Sequence, residues 1–474
     1  MRRIRIGTAC AAMLLGAANA HAQALDLDVY STRDAISASP AAPLLGSASC
    51  RPVPTDRPLE LQDAILQAIC ANPQARQAWA NARAQAAAVG VGEAKYLPTL
   101  SATGGVERDS LVTTYAIGPI SLSESQQTTA EYGMLNLNWV LFDFGGRSAN
   151  LEEARQLLAA ANAAQDDTLQ QIFFDTAQTY YGVRDAQATV DAAQAADRSA
   201  KESLVEATAL HQAGAGTLSD QLQAQTNYRR AVLDEVSAKG DLKTAIGTLA
   251  VAMGLDANTP LQIAGKEPPV DRTEFEHGVD QLMEEAKLQH PKLIAARARL
   301  DAARAHVGAV RAQGLPEIAL TGSISRNNPS YQQQSEVSGS RGNTIGIQIT
   351  IPLFDGFTTG YQVAAAKAQA DEQEAELQGA ELQVSLNVWK SYQSLQANTA
   401  NLDNSKYLLD DAQRSLDIAR GRYKAGVGTI VELLNAQSAL ADARKQRVQA
   451  LSKWRTDRLK LAESLGKLRD VSQE

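Results

Sequence analysis

One pattern occurs twice in the sequence, as LNLNWVLFDFGGR at residues 135–147 and as IGIQITIPLFDGF at residues 345–357. In each copy apolar and polar side chains alternate, and the alternation ends at a segment that contains phenylalanine, aspartate and glycine. Alternation with a period of two predicts a β-strand with one apolar face and one wet face. The glycine predicts a turn, and the proline-free sequence after it predicts a long helix.

These two stretches belong to a duplication that covers most of the chain. Its repeat is far longer than the unit of a solenoid, so a single interpretation must explain both copies. The markers that recur in pairs are Pro73 and Pro291, Pro98 and Pro316, the Phe-Asp pairs at 142–143 and 354–355, and AGAGT at 213–217 with AGVGT at 425–429. The segments that follow from this are a first repeat at 59–254, a connector at 255–276, a second repeat at 277–466 and a C-terminal tail at 467–474.

The N-terminus resembles a secretory signal. Residues 1–22 have a basic start, an apolar run and small residues at a cleavage pattern, which are the features of an exported protein. Residues 23–58, rich in Ser, Ala and Pro, predict a tail with little to bury. Cys50 and Cys70 remain after cleavage, and in an oxidising compartment they are a candidate disulfide, although Cys70 also suits a buried helix face.

Charge and hydropathy exclude two classes of protein. The net charge is -8 and no basic cluster is present, which argues against a nucleic-acid partner. After the signal, no apolar run reaches the 18 or so residues that a spanning helix needs. If the chain crosses a membrane, it does so with strands.

Each repeat predicts one β-hairpin, at 99–141 and at 317–352. In the first, a polar loop is expected to run to about residue 128. A hairpin on a soluble core is one interpretation, but we favour a lipid-facing hairpin, because the strands have a bilayer's length and aromatic residues collect at one end as an interfacial girdle does. These aromatic residues are Trp139, Phe142, Phe144, Phe354 and Phe357.

Long helices follow both hairpins. In the second copy, leucines at 395, 402, 409 and 416 and Tyr423 stand at seven-residue spacing, which predicts coiled packing against a neighbouring helix. The glycine-containing turns at 213–217 and 425–429 predict antiparallel helical hairpins. The fold class is therefore mainly α with membrane β, built from tandem-duplicated long helical hairpins and four transmembrane strands per chain.

Four strands cannot close a sheet in lipid. Open edges would leave backbone groups unpaired at several kcal/mol each, and barrels begin at about eight strands. Two, three or four copies of the chain must therefore share a barrel. The polar strand faces would line a wet lumen, and the helices would prolong it, which predicts a conduit.

The ordered, duplicated set of motifs resembles the TolC family of outer-membrane efflux and secretion ducts. It is carried by YLPTL and GLPEI, LFDFGG and LFDGF, and AGVGTIVELLNAQSAL with its weaker partner AGAGTLSDQLQAQTNY. The resemblance implies a homotrimer with a shared β-barrel and an α-barrel, located in the outer membrane and extending into the periplasm. It also implies a periplasmic adaptor and an inner-membrane transporter of the ABC type as partners. Within the family, the chain is most similar to ducts for type I secretion of a protein toxin.

The resemblance also implies a periplasmic gate. Tyr423 and Asp220 occupy one polar link, whereas Gly428 stands where the family archetype has an arginine, so a second link to Ser219 is missing. Glu432 and Asn435 fall at positions of acidic rings, one of which would here be an amide ring. The expectation is a looser resting gate with a weaker cation block. Ordinary helix capping and a solvated surface are the alternative roles of these residues.

No constellation for catalysis is visible. The histidines have no HExxH spacing, and neither a phosphate-binding glycine loop nor a Gly-x-Ser-x-Gly elbow occurs. We expect no enzyme activity, no cofactor and no metal. Alternatives to protein secretion are a multidrug or small-molecule efflux duct of the same family, and a periplasmic coiled-coil adaptor without a pore.

Overall fold

The computed structural model describes residues 28–36, 57–264, 278–327 and 340–467. The chain divides into two compact units. The sheet unit consists of Met1–Ile36, Arg83–Ala159 and Ala298–Glu374, and the helical unit consists of Ser37–Ala82, Ala160–Arg297 and Ala375–Glu474. The predicted signal at residues 1–22 lies outside the described residues.

The elements occur in the same order in both repeats. In chain order they are a 3₁₀ turn at Thr32–Ala35, α1 Leu61–Ala71, α2 Pro73–Ala94, β1 Thr99–Ile117, β2 Ile120–Phe142, α3 Gly146–Gln212, α4 Leu218–Ala252, α5 Val279–Gln289, α6 Pro291–Ala312, β3 Glu317–Asn327, β4 Ser340–Thr350, α7 Thr358–Lys424 and α8 Ile430–Ser464. The helices match in length, with 11 residues in α1 and α5, 22 in α2 and α6, 67 in α3 and α7, and 35 in α4 and α8. The strands do not match, since β1 and β2 have 19 and 23 residues while β3 and β4 have 11 each.

The four strands form one antiparallel sheet in the order β1-β2-β3-β4. One face is apolar and exposed in the single chain, with Leu100 65% exposed and Ile345, Ile347 and Ile349 exposed by 76%, 68% and 60%. Among the described residues, β1 and β4 each pair on one side only. The sheet therefore has two open edges and an uncovered apolar face, which is the arrangement expected of an incomplete membrane barrel.

The expected polar loop after β1 is wrong. The ladder of β1 and β2 continues without a register shift to the pair Ile117 and Ile120, and the strands turn at Gly118, whose φ is +63°. A glycine at the first position of a two-residue turn closes a hairpin tightly. The prediction failed because the apolar alternation ends near Val106. The residues beyond it, rich in Thr and Ser, still pair through their backbones, and threonine favours strands.

The seven-residue stripe of α7 is buried within the helical unit. Leu402, Leu416 and Tyr423 are 1%, 4% and 7% exposed. Near the end of α7 the stripe packs against small residues of two other helices, Ala207 of α3 and Ala224 of α4. Small side chains let helix axes approach closely, so the coiled packing that the spacing predicts is confirmed in this region.

The N-terminal tail buries more than predicted. In the sheet unit, Tyr30 and Thr32 lie beside Gly90 of α2, and Ile36 packs against a cluster that includes Val89 and Leu151. The Asp28 carboxylate accepts hydrogen bonds from the backbone N–H groups of residues 32 and 33 at 2.8 Å each. The composition of the tail did not indicate this cap. This clip orders residues 28–36.

The described part of the connector, residues 255–264, forms one bridge to the first repeat. In the helical unit Leu59 pairs in parallel with Ile263 as an isolated bridge. The hydroxyl of Tyr180 donates to the carbonyl oxygen of Leu59 at 3.1 Å. Among the described helices, none has an apolar stretch long enough to cross a bilayer.

Candidate functional site

The predicted aromatic girdle lies where the strands meet α3 and α7. Its members are 37% to 77% exposed, and they are Trp139, Phe142, Phe144, Phe354 and Phe357. The rings pair edge-to-face within each copy, with centroids 4.7 Å apart in the first copy and 5.5 Å apart in the second. Because these rings are at least 37% exposed, the girdle offers apolar surface at the end of the sheet.

A capped turn positions each ring pair. The Asp143 carboxylate accepts from the backbone N–H of Arg147 at 2.7 Å, and the Asp355 carboxylate accepts from that of Thr359 at 2.8 Å. In each turn a phenylalanine adopts a positive φ, +49° at Phe144 and +66° at Phe357. This conformation is disfavoured for a bulky residue, so the turn holds the ring in place at a cost of roughly 1–2 kcal/mol.

The candidate gate lies at the two helical turns of the helical unit. In each turn a glycine has a positive φ, +74° at Gly214 and +73° at Gly426. Two consecutive N–H groups then bond one carbonyl of the preceding helix, that of Leu210 in the first turn and that of Arg422 in the second. These bonds satisfy the helix C-termini and allow the chain to reverse.

Asp220 has a capping role in the first turn. Its carboxylate accepts from the backbone N–H of Thr217 at 3.2 Å, while Thr217 Oγ1 accepts from the N–H of Asp220 at 3.1 Å. Within the described part of the chain, no hydrogen bond joins this carboxylate to the hydroxyl of Tyr423. Burial first, and then the charges of Asp220 and Glu206, raise the pKa of the Tyr423 hydroxyl, so both carboxylates influence this side chain electrostatically.

Gly428 has a structural reason to be glycine. A Cβ at this position would lie 3.0 Å from the backbone nitrogen of Tyr423 and 3.0 Å from Cβ of Arg422. The tight turn therefore leaves no room for a longer side chain without a shift of the backbone. That a second link to Ser219 is missing stays a prediction.

Thr429 caps α8, and its Oγ1 accepts from the backbone N–H of Glu432 at 3.2 Å. The Glu432 carboxylate lies 3.7 Å from Nε of Arg422 on the same hairpin. This exposed pair is weak in water but partly compensates the acidic charge. Asn435 and Ser219, the other predicted gate residues, line one groove of about 650 Å³ between α4 and α8.

A buried polar hub behind the gate was missed from the sequence. Gln437 of α8 is 9% exposed, and its amide nitrogen donates to Ser203 Oγ at 2.7 Å and Ser199 Oγ at 3.1 Å, both on α3. Its amide oxygen accepts from Asn227 of α4 at 3.3 Å. The glutamine at the matching position 225 of the first copy lies in a polar stretch and is exposed, so no local pattern indicated that Gln437 is buried.

The remaining predicted site residues are the two cysteines. Cys70 is part of a disulfide. Cys50 lies outside the described residues, so its pairing with Cys70 stays a prediction. Among the described residues, no cluster of His, Cys, Asp and Glu has the arrangement of a metal site.

Comparisons with known proteins point in one direction. The family model described as "Outer membrane efflux protein" matches residues 64–255 and 282–467. Protein CyaE of Bordetella pertussis (strain Tohama I) is 32% identical over 420 residues, which cover 88% of this chain and 86% of that protein. Outer membrane protein TolC of Escherichia coli (strain K12) is 24% identical over 86% of this chain and 83% of its own length. The alkaline protease secretion protein AprF of Pseudomonas aeruginosa is 26% identical over 69% of this chain and 66% of its own length.

Solved channels share the fold. The outer membrane protein VceC of Vibrio cholerae superposes with a TM-score of 0.73 at 22% identity, covering 86% of this chain and 96% of VceC. CusC, solved in a study of transmembrane channel formation, superposes with a TM-score of 0.74 at 21% identity, covering 85% of this chain and 91% of CusC. These neighbours confirm the mainly helical fold.

Proposed function

Because the chain belongs to the outer membrane efflux protein family, we propose that it is the outer-membrane duct of a three-part export system whose cargo is a polypeptide, such as a protein toxin released by the type I route. The chain is an efflux or secretion duct of the outer membrane that extends into the periplasm. The polypeptide cargo is supported by AprF, a relative named for secretion of alkaline protease.

The geometry of the sheet is the observation that supports a duct. The four-stranded sheet exposes an apolar face and leaves both edge strands open among the described residues. Closing these edges with copies of the chain satisfies the backbone in lipid, and three copies give a barrel of twelve strands. A coiled-coil adaptor without a pore would have no use for this sheet.

The partners supply what the chain lacks. A passive conduit stores no chemical energy, so transport is driven by an inner-membrane transporter of the ABC type, and a periplasmic adaptor joins it to the duct. Small-molecule efflux is the second candidate, because the matching family model is named for efflux.

Two measurements test the function. The purified protein is expected to run as a heat-resistant trimer and to form conducting pores in planar bilayers. Disruption of the gene is expected to remove a polypeptide from the culture medium. Loss of a small molecule's export with an unchanged set of secreted proteins would favour the efflux candidate, and monomeric behaviour without detergent would contradict the duct.

The gate proposal is that Tyr423 and Asp220 hold the periplasmic tip closed with few other links, so that the gate is loose at rest. It is supported by the effect of the Asp220 charge on the Tyr423 hydroxyl and by the tight packing at Gly428. Arg422 partly neutralises the negative charge of the Glu432 ring, and the Asn435 ring is neutral. Both rings therefore block cations weakly.

Conductance measurements distinguish a latch between Tyr423 and Asp220 from a role of Asp220 in helix capping alone. Asp220→Asn keeps an oxygen that accepts from Thr217 but removes the charge, and Tyr423→Phe keeps the ring but removes the hydroxyl. Each variant is expected to raise the conductance of the trimer, as is Asp220→Ala, and the double variant is expected to add little. An unchanged conductance in Asp220→Ala would contradict the proposed latch.

A further inference from the structure

The hairpin of β1 and β2 extends well past the rest of the sheet. β3 ends at Asn327, which pairs with Tyr132 of β2, and Tyr132 in turn pairs with Gly105 of β1. Among the described residues, only β1 and β2 continue beyond this level, from 106 to 117 and from 120 to 131. At about 3.4 Å per residue, this two-stranded segment, which we call the ribbon, extends roughly 40 Å. It projects from the end of the sheet opposite to the helices, which is the extracellular end.

The apolar face of the hairpin changes sides along the ribbon. In the membrane part, the apolar pairs are Leu100 with Leu137 and Ala102 with Leu135, which belong to the exposed lipid-facing side. At the tip, the apolar pair Tyr115 with Leu122 lies on the opposite side, because the register between the strands has no shift. Ile120 lies on that same side, two pairs beyond Leu122. The tip is therefore apolar on the side that continues the polar wall of the lumen.

The outward side of the ribbon is mostly polar. Thr114 Oγ1 and Ser123 Oγ are 3.3 Å apart across the ladder, and Arg108 donates to the amide oxygen of Gln127 at 3.2 Å. Its apolar members are Val106 at the base of the ribbon, Val112 and the small Ala116. A tip designed for lipid would carry its large apolar residues on this outward side, in line with Leu100 and Leu135.

The apolar tip needs a cover. Leu122 and Ile120 are 57% and 62% exposed, and Tyr115 is 39% exposed. A two-stranded hairpin alone is marginally stable in water, and its apolar side gains stability only when another surface excludes water from it. The surface nearest to it in the proposed assembly is the same tip of another copy, since pairing of β1 with β4 of a neighbour would set the ribbons around one opening at high effective concentration.

We propose that the ribbon tips of neighbouring copies contact one another through Tyr115, Ile120 and Leu122 and narrow the extracellular opening of the duct. The inference rests on the proposed assembly of several copies around one lumen. The occupant of the apolar tip is a second copy of this chain, and cargo must part the tips to leave the duct.

Cysteine crosslinking in outer membranes tests the contact. Leu122→Cys is expected to give a reducible dimer on denaturing gels after oxidation with copper phenanthroline. Ser123→Cys, one residue away on the outward side, is the matched control and is expected to stay monomeric. Ile120→Cys provides a second position in case the first variant assembles poorly.

Conductance gives an independent readout. Leu122→Asp is expected to raise the single-pore conductance in planar bilayers, because carboxylates at the tips repel one another, whereas Ser123→Asp leaves it unchanged. Equal behaviour of the two positions in either experiment would overturn the proposal.

The outcomes also separate this inference from the proposed function. If heat-resistant trimers form but Leu122→Cys and Ile120→Cys do not crosslink, the ribbon proposal fails and the duct stands. If those cysteines are instead shielded from an impermeant maleimide without crosslinking, lipopolysaccharide or another protein covers the tip, and the proposal is again wrong. If no multimer forms, both fail.

Discussion

The side chain of Arg147 lies over the ring of Tyr96, with Cζ 4.8 Å from the ring centroid. The second copy has Gly314 and Thr359 at the matching positions, and a Cβ on Gly314 would lie only 2.9 Å from Cγ2 of Thr359. The duplicated junction between strand and helix thus contains a large pair in one copy and a small pair in the other. The contact is kept although all four residues differ.

The large pair can be tested by exchange. Arg147 also donates to the carbonyl of Val140 at 2.6 Å, so Arg147→Thr removes a cation–π contact and a charged hydrogen bond. We expect a loss of about 1–3 kcal/mol of stability, measured by thermal unfolding in detergent. Tyr96→Gly added to Arg147→Thr should cost less than the sum of the single changes, because both act on one contact. Full additivity would contradict the coupling.

The buried hub at Gln437 should respond strongly to an apolar replacement. Gln437→Leu leaves the hydroxyls of Ser199 and Ser203 and the amide of Asn227 without this partner, so we expect a loss of about 1–3 kcal/mol. Gln225→Leu is the control, because Gln225 occupies the matching position of the first copy and is exposed. Its effect should stay within about 0.5 kcal/mol. Thermal unfolding of both variants decides whether the hub is structural.

Stability should depend on pH through His290. Burial, the largest cause, lowers the pKa of the imidazole, which Glu463 partly offsets by raising it and Lys292 reinforces by lowering it. Nδ1 of the neutral ring accepts from the N–H of Lys292 at 3.2 Å. The unfolded chain therefore takes up this proton at a higher pH than the folded chain. The histidine costs no stability well above pH 6.5, and below it stability falls by at most about 1.4 kcal/mol per pH unit.

The first copy supplies the control for this pH dependence. Asn72 stands at the position of His290, and its Oδ1 accepts from the N–H of Gln74 at 2.8 Å. His290→Asn should keep the cap and reduce the loss of thermal stability between pH 7.5 and 5.5. The idea is wrong if wild type and variant lose the same stability over that interval.

The disulfide of Cys70 has one expected partner, Cys50, because Cys10 belongs to the predicted signal. Closing a loop of this length stabilises a chain by roughly 3 kcal/mol. We expect Cys50→Ser and Cys70→Ser to lower the unfolding temperature equally, and the double variant to lower it no further. Peptide mapping without reduction identifies the bond directly, and a free Cys50 thiol would exclude it.

Sequence reasoning succeeded where one side chain type repeats along an element. The isoleucines at 345, 347 and 349 predicted β4, and the leucines from 395 to 416 predicted the packing of α7. It failed where structure depends on a partner distant in sequence. The outer ribbon is held by backbone pairing between residues that alternate weakly, and Gln437 acquires its role only when Ser203 is beside it.

The N-terminal clip illustrates a further limit. The composition of residues 23–58 indicates a chain with little to bury, yet Ile36 finds an apolar cluster formed by α2 and α3. A single anchor residue does not change the average composition of a segment. Its partners are separated from it by roughly 50 to 120 positions, so no local pattern indicates the contact.

The equal lengths of corresponding helices restrict how this protein can evolve. Inserting one heptad into α3 alone would carry its turn about 10 Å past that of α7, separating Ala207 and Ala224 from Leu416 and Tyr423. Insertions in the helices are then tolerated only when both repeats gain the same number of residues. Strand ends face no such restriction, as the 19 and 23 residues of one hairpin beside 11 and 11 of the other demonstrate. Changes of length should therefore accumulate in the strand ends at the cell's outer surface, while the packed helices keep their lengths.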